Sequence, residues 1–67
     1  MVNIWDFAWE LGKVKIITND GKTFVGNTLC VLDSEEADDE EDSITIEMKD
    51  GRIIGFYPSE ISSIERI

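Results

Sequence analysis

Residues 43–58 read S-I-T-I-E-M-K-D-G-R-I-I-G-F-Y-P, and their pattern decides the fold. Ile44, Ile46 and Met48 alternate with Thr45 and Glu47, so an extended chain turns the apolar three one way and the polar two the other. Asp50-Gly51 then supplies the residues that a tight hairpin turn prefers. A second run, R-I-I-G-F-Y, follows it. Pro58 closes that run because it has no N–H to give to a strand ladder. Two antiparallel strands joined by a short turn are the prediction.

Working outward, the same signals repeat. Toward the C-terminus, Ser59-Glu60-Ile61 reads as a single turn and S-I-E-R-I, residues 63–67, as a short last strand. Toward the N-terminus, K-V-K-I-I-T places Val14 and Ile16 on one face and Lys13 and Lys15 on the other. Asn19-Asp20-Gly21 is a second hairpin turn, with Gly21 suited to a positive φ. The run after it, T-F-V-G-N-T-L-C-V-L, is long for a strand and carries Gly26 in its middle, a sign of a bend or bulge. Five short strands with two tight hairpins and one bent strand predict a mainly β protein, a small, strongly curved five-stranded barrel, in a single domain over residues 1–67. Ahead of the strands, N-I-W-D-F-A-W-E-L has Ile4, Phe7, Ala8 and Leu11 at helical spacing, with Asn3 as N-cap and Gly12 as stop. This predicts an N-terminal helix of about two turns within residues 1–12, too short to stand in water without docking.

The 67 residues carry 15 acids and 6 bases, a formal charge of −9. Residues 33–42 read D-S-E-E-A-D-D-E-E-D and hold eight of those acids, so the rest of the chain is close to neutral. Mutual repulsion and the lack of apolar side chains predict a solvated, mobile loop that repels phosphate backbones and attracts cations or basic protein surfaces. The Asp6 and Glu10 carboxylates and the short apolar runs argue against a signal peptide or a membrane-spanning helix. A single cysteine, Cys30, excludes an internal disulfide and fits a reducing cytoplasm.

The composition disfavours catalysis. With no histidine there is no Ser-His-Asp or Cys-His arrangement. Cys30, flanked by apolar residues in a predicted strand, reads as a small buried hydrophobe. The loop carboxylates lack a desolvated pocket that would separate two acid pKa values. Asp38 through Asp42 offer oxygen ligands for Ca²⁺ or Mg²⁺, but without an EF-hand pattern the expectation is diffuse cation condensation and no built metal site. No cofactor is expected. For nucleic acid, Lys13, Lys15 and Lys22 fall across the first hairpin and Trp5 and Trp9 offer stacking surfaces. Against that, the overall charge opposes phosphate.

The order of elements, with Asp20-Gly21, Phe24-x-Gly26, Leu29, Leu32 and Asp33, resembles the first motif of the Sm-like (LSm) superfamily, which implies an SH3-like barrel. Ile61-x-x-Ile64 resembles the end of the second. The chain is similar to small LSm-type proteins of Gram-positive bacteria and their phages, which share a Trp-Glu…Gly-Lys-Val-x-Ile opening, an acid-rich middle and a Ser-Glu-Ile-x-Ser-Ile-Glu end. One extra residue between Gly26 and Asp33 reads as a bulge near Asn27. The Asp-x-x-x-Asn pattern of Sm-like RNA binders is missing, since Ala37 stands four residues after Asp33, and no basic pair occupies the second motif. The resemblance therefore places the acidic run where phosphate would approach.

The resemblance further implies head-to-tail assembly of copies through the fourth and fifth strands. Ile53, Ile54, Phe56, Tyr57, Ile64 and Ile67 are then the candidate interface. Trp5, Trp9, Glu35, Glu36, Asp38, Asp39, Glu40 and Glu41 are candidates for contact with a basic protein partner, with mimicry of phosphate by the loop as one use. The expected function is a cytoplasmic, non-enzymatic binding and self-associating module. The alternative is an RNA-binding Sm-like protein.

Overall fold

The alternating stretches become strands in a computed structural model of the chain, which describes residues 2–9 and 11–67. Among these residues the strands are β1 (Lys13–Thr18), β2 (Thr23–Leu32), β3 (Ser43–Met48), β4 (Ile53–Phe56) and β5 (Ile61–Arg66). A 3-10 turn, η1 (Ile4–Phe7), precedes them, and another, η2 (Pro58–Glu60), separates β4 from β5. All five strands lie in one antiparallel sheet of order β4-β3-β2-β1-β5. The outermost strands, β4 and β5, do not pair with each other, so the sheet is open.

Period-2 burial builds the core. Val14 and Ile16 of β1 and Ile44 and Ile46 of β3 are completely buried, joined by Ile4, Phe56 and Ile61. Each such side chain contributes roughly 1.5–3 kcal/mol when removed from water. Met48 packs half-buried against this cluster, as do Phe24, Val31, Ile54 and Ile64.

The sheet is strongly curled. A flat sheet would be thin along one axis, yet the backbone measures 28 × 22 × 21 Å. At about 3.3 Å per residue, the ten residues of β2 would hold their two ends about 30 Å apart if straight. The turn before β2 and the loop after it nevertheless both reach η2. Asn19, before β2, donates from its backbone N to Glu60 O at 2.9 Å and from Nδ2 to Ser59 O at 2.7 Å. Ser59 Oγ in turn donates to Glu41 Oε2, beyond β2, at 2.7 Å. Phe24 of β2 also meets Phe56 of β4 across the concave face, ring centroids 5.1 Å apart and tilted by 58°.

Two features of β2 produce the curl. At Gly26 an added Cβ would lie 2.6 Å from Glu47 O, so the two backbones approach more closely than any side chain permits. Between Thr28 and Cys30 the register with β3 shifts, leaving Leu29 as the extra residue of a bulge. The bulge predicted near Asn27 thus falls two residues later. In consequence Cys30 pairs with Thr45 on the outer face and is half-buried, not a core residue.

The predicted N-terminal helix does not form. Only η1 is helical, with Asn3 Oδ1 accepting from Trp5 N at 3.1 Å and Ala8 as its C-cap. The reason lies downstream. Gly12 O accepts from Thr28 N at 2.8 Å, so the chain is already extended along β2 where the helix would end. Trp9 is 91% exposed and Leu11 53%, so a second helical turn would find nothing to dock on. Met1 and Glu10, both inside that predicted helix, lie outside the described residues.

Candidate functional site: an acidic end beside two open sheet edges

Residues 33–42 are a loop of turns and bends joining β2 to β3, as the charge density requires. They do not hang free. Asp42 is its anchor: Oδ2 accepts from the indole Nε1 of Trp5 and Oδ1 from Ser34 N, each at 2.8 Å. Asp33 Oδ1 accepts from Glu36 N at 2.8 Å, and Ala37 N and Asp39 N donate back to Asp33 O and Ser34 O, winding the first half of the loop. Asp38 takes a positive φ of 53° there. The second half is tied to the segment between β4 and β5: Tyr57 donates its phenol proton to Asp39 Oδ2, and Ser59 donates to Glu41. The loop is thus solvated along much of its length, as expected, and also tied to the body at both halves. Carboxylates gain donors wherever the body offers them, and a run of eight acids has carboxylates for each.

These contacts have electrostatic consequences. The hydrogen bond that Tyr57 donates to Asp39, reinforced by desolvation and by the charges of Asp39, Glu60 and Glu41, raises the Tyr57 phenol above its ordinary 10.0. The same bond, with the backbone N–H of Glu40, lowers Asp39 below its ordinary 3.8. At the first hairpin, Asp20 is lowered chiefly by the Thr18 hydroxyl. At the second, the Arg52 backbone N–H does the same for Asp50. Gly21 and Gly51 sit at φ +86° and +91° in these turns, where any Cβ is strained.

The candidate partner-binding residues divide. Trp5 packs against the core and spends its N–H on Asp42, whereas Trp9 stands in solvent. Asp39 and Glu41 are engaged with Tyr57 and Ser59, while Glu35, Glu36, Asp38 and Glu40 point their carboxylates outward. Among the described residues no acidic group converges into a metal-binding cluster, and no helix is long and apolar enough to cross a membrane. The bases are largely matched to local acids: Lys15 to Glu65 at 3.0 Å, Lys22 to Asp20 at 3.8 Å, Arg52 to Asp50 at 2.7 Å. Arg66 donates to Asp6 O at 2.8 Å and lies over the Phe7 ring, fastening η1 to the end of β5. Thus Lys15 and Lys22 of the anticipated lysine patch are both paired with carboxylates.

The candidate interface residues divide as well. Phe56 is 5% exposed and belongs to the core, where the parity of β4 turns it inward beside Phe24. It is not a surface contact. Ile54 and Ile64 are half-buried on the same inner face, and Tyr57 is held by Asp39. Ile53 and Ile67, by contrast, are 62% and 60% exposed at opposite edges of the sheet.

Hydrogen-bond phase shows what those edges present. Bonds in an antiparallel ladder alternate, so one end pair fixes the rest. Met48 N donates to Arg52 O at 2.8 Å, which makes Ile46–Ile54 and Ile44–Phe56 the bonded pairs of β3 and β4. The backbone groups of Ile53 and Gly55 therefore point out of the sheet. On the other side Ile67 N donates to Lys13 O at 3.1 Å, making Lys15–Glu65 and Ile17–Ser63 the bonded pairs, so the backbone of Ile64 points outward.

Beside η2 lies an open hollow of about 430 Å³ with Phe24 and Phe56 as its floor and Asn19, Asp20, Lys22 and Glu60 on its rim. Neither the hollow nor the roles of Ser59 and Asp42 is evident from sequence spacing. One available signal was the Trp5 indole, which needs an acceptor once packed against a core. Comparison with protein-family models, curated proteins and solved structures finds no match for this chain.

Proposed function

We propose that this chain is a non-enzymatic assembly module of Sm-like type, a small β-barrel whose sheet is continued by a neighbouring copy. One observation carries the reading. The curled sheet ends in two unpaired edges, β4 and β5, each with outward backbone groups and an exposed isoleucine, Ile53 on one and Ile67 on the other. Exposed edges that bear no charge at their centre invite strand pairing, and a 67-residue domain gains from the added burial. β4 of one copy joining β5 of the next is a head-to-tail contact, which closes into a ring when its rotation allows. The outward carboxylates of Glu35, Glu36, Asp38 and Glu40 then form a face that attracts basic protein surfaces. The pairing of Lys15 and Lys22 with acids, and the acidic loop itself, weigh against RNA as the ligand. Cytoplasmic residence belongs to the same reading.

Light scattering tests it. The expected mass at high micromolar concentration is a multiple of 7.6 kDa. A lysine in place of Ile53 should return the protein to monomers without unfolding it. A native chain that stays at the monomer mass in both dilute and concentrated salt refutes the proposal.

A further inference from the structure

We infer that self-association of this chain is gated by charge screening, monomers prevailing at low ionic strength and assembled copies at high. The inference rests on the strand-pairing reading above and assigns its control to the acidic loop. Tyr57 and Ser59, the residues that hold the loop through Asp39 and Glu41, lie between the end of β4 at Phe56 and the start of β5 at Ile61. The loop is thus tethered to the short segment that joins the two edges. A copy added at either edge brings its own loop, tethered in the same way, toward this one. The tethered Asp39 and Glu41 of each copy, with the exposed Glu35, Glu36, Asp38 and Glu40 of the same loop, then come near the junction, and Lys22, which lines the hollow beside η2, is already matched to Asp20.

The distances decide when this repulsion matters. Adjacent copies stand about one molecular width apart, between 21 and 28 Å by the dimensions of the chain. Screening lengths are about 30 Å at 0.01 M salt and about 3 Å at 1 M. In dilute buffer the loops therefore repel across the whole junction. At several tenths molar each loop is electrically hidden from the next, and the backbone and apolar contacts of the edges act unopposed.

The test is light scattering and sedimentation over a concentration series, at about 0.02 M and about 0.5 M sodium chloride. The native chain is compared with the quadruple variant Glu35→Gln, Glu36→Gln, Asp38→Asn, Glu40→Gln. These four side chains make no hydrogen bond among the described residues, so the loop keeps its anchors and circular dichroism should be unchanged. The native chain should assemble at about tenfold or more lower concentration in high salt. The variant should assemble in low salt and show a weaker salt response. A native oligomer whose stability does not change with salt overturns the gating and leaves the strand-pairing reading intact. An equal salt response in both chains also overturns it, because the loop charges are then not the cause. Monomers of both chains in every buffer overturn the gating and the assembly reading together.

Discussion

Gly26→Ala isolates the contact that bends the sheet. The new Cβ would sit 2.6 Å from Glu47 O, 3.0 Å from its carbonyl carbon and 3.3 Å from Ile46 Cδ1. Relief to an ordinary contact of about 3.4 Å needs the two backbones to part by about 0.8 Å, since carbon and oxygen repel steeply inside that range. Such a shift stretches at least one ladder bond between β2 and β3 beyond hydrogen-bonding reach, at about 1 kcal/mol per bond. Strain on the fully buried Ile46 adds to this, and overpacking of a dense core typically costs about 1–3 kcal/mol. The unfolded chain loses entropy on replacing glycine, which returns about 0.4–1 kcal/mol. The net expectation is destabilisation by about 2 kcal/mol, a fall of about 8–16 °C in Tm for a domain of this size. Gly55→Ala is the matched control. Its Cβ would meet only Thr45 Oγ1 at 3.7 Å, so its stability should stay within about 0.5 kcal/mol of the native chain. Both are measured by urea and thermal unfolding in far-UV circular dichroism. If Gly26→Ala proves as stable as Gly55→Ala, the close backbone approach is not what shapes β2.

Other expectations follow from single side chains. The Thr28 hydroxyl is buried without a hydrogen-bond partner among the described residues, so Thr28→Val should raise stability by about 1 kcal/mol, and a lowered Tm would count against its isolation. Asp42→Ala strips acceptors from Trp5 Nε1 and Ser34 N, which should cost about 1–2 kcal/mol and shift the tryptophan fluorescence, whereas Asp38→Asn should do neither. The Tyr57–Asp39 bond sets a pH window. Asp39 is lowered in the folded state, so its contribution is present above the ordinary carboxylate range and lost as pH falls below it; Tyr57 is raised, so its contribution is present below 10.0 and lost as pH climbs past its raised value. Ultraviolet titration should find the phenol ionising later than free tyrosine, and Asp39→Asn should return it toward normal.

Much of this was legible in residue order because β structure writes its pattern locally. Val14, Ile16, Ile44 and Ile46 alternate at the period of a pleat, and all four are buried. Asp20-Gly21 and Asp50-Gly51 mark their turns through a single glycine φ. What escaped depends on partners distant in sequence. The apolar spacing of residues 3–11 suits a helix, but the bond from Thr28 N to Gly12 O draws the chain straight. The bulge was displaced because Gly26 announces itself whereas Leu29, the residue it ejects, has no special chemistry. Phe56 belongs to an edge strand and also to the core, turned inward by the parity of β4 and packed beside Phe24. The loop's charge was plain, but its tethers are set by Tyr57 and Ser59, 18 residues beyond Asp39 and Glu41.

The three residues of η2 act as a clasp. Ser59 and Glu60 are grasped from one side by Asn19 and from the other by Glu41, so releasing them frees both sides in one event. Amide deuterium uptake at Asn19 and at the Ser59 and Glu60 positions should therefore rise in concert, as a single opening unit separate from the slower-exchanging interior of β1 and β3. A small molecule that wedged into that clasp would loosen two distant stretches of chain at once.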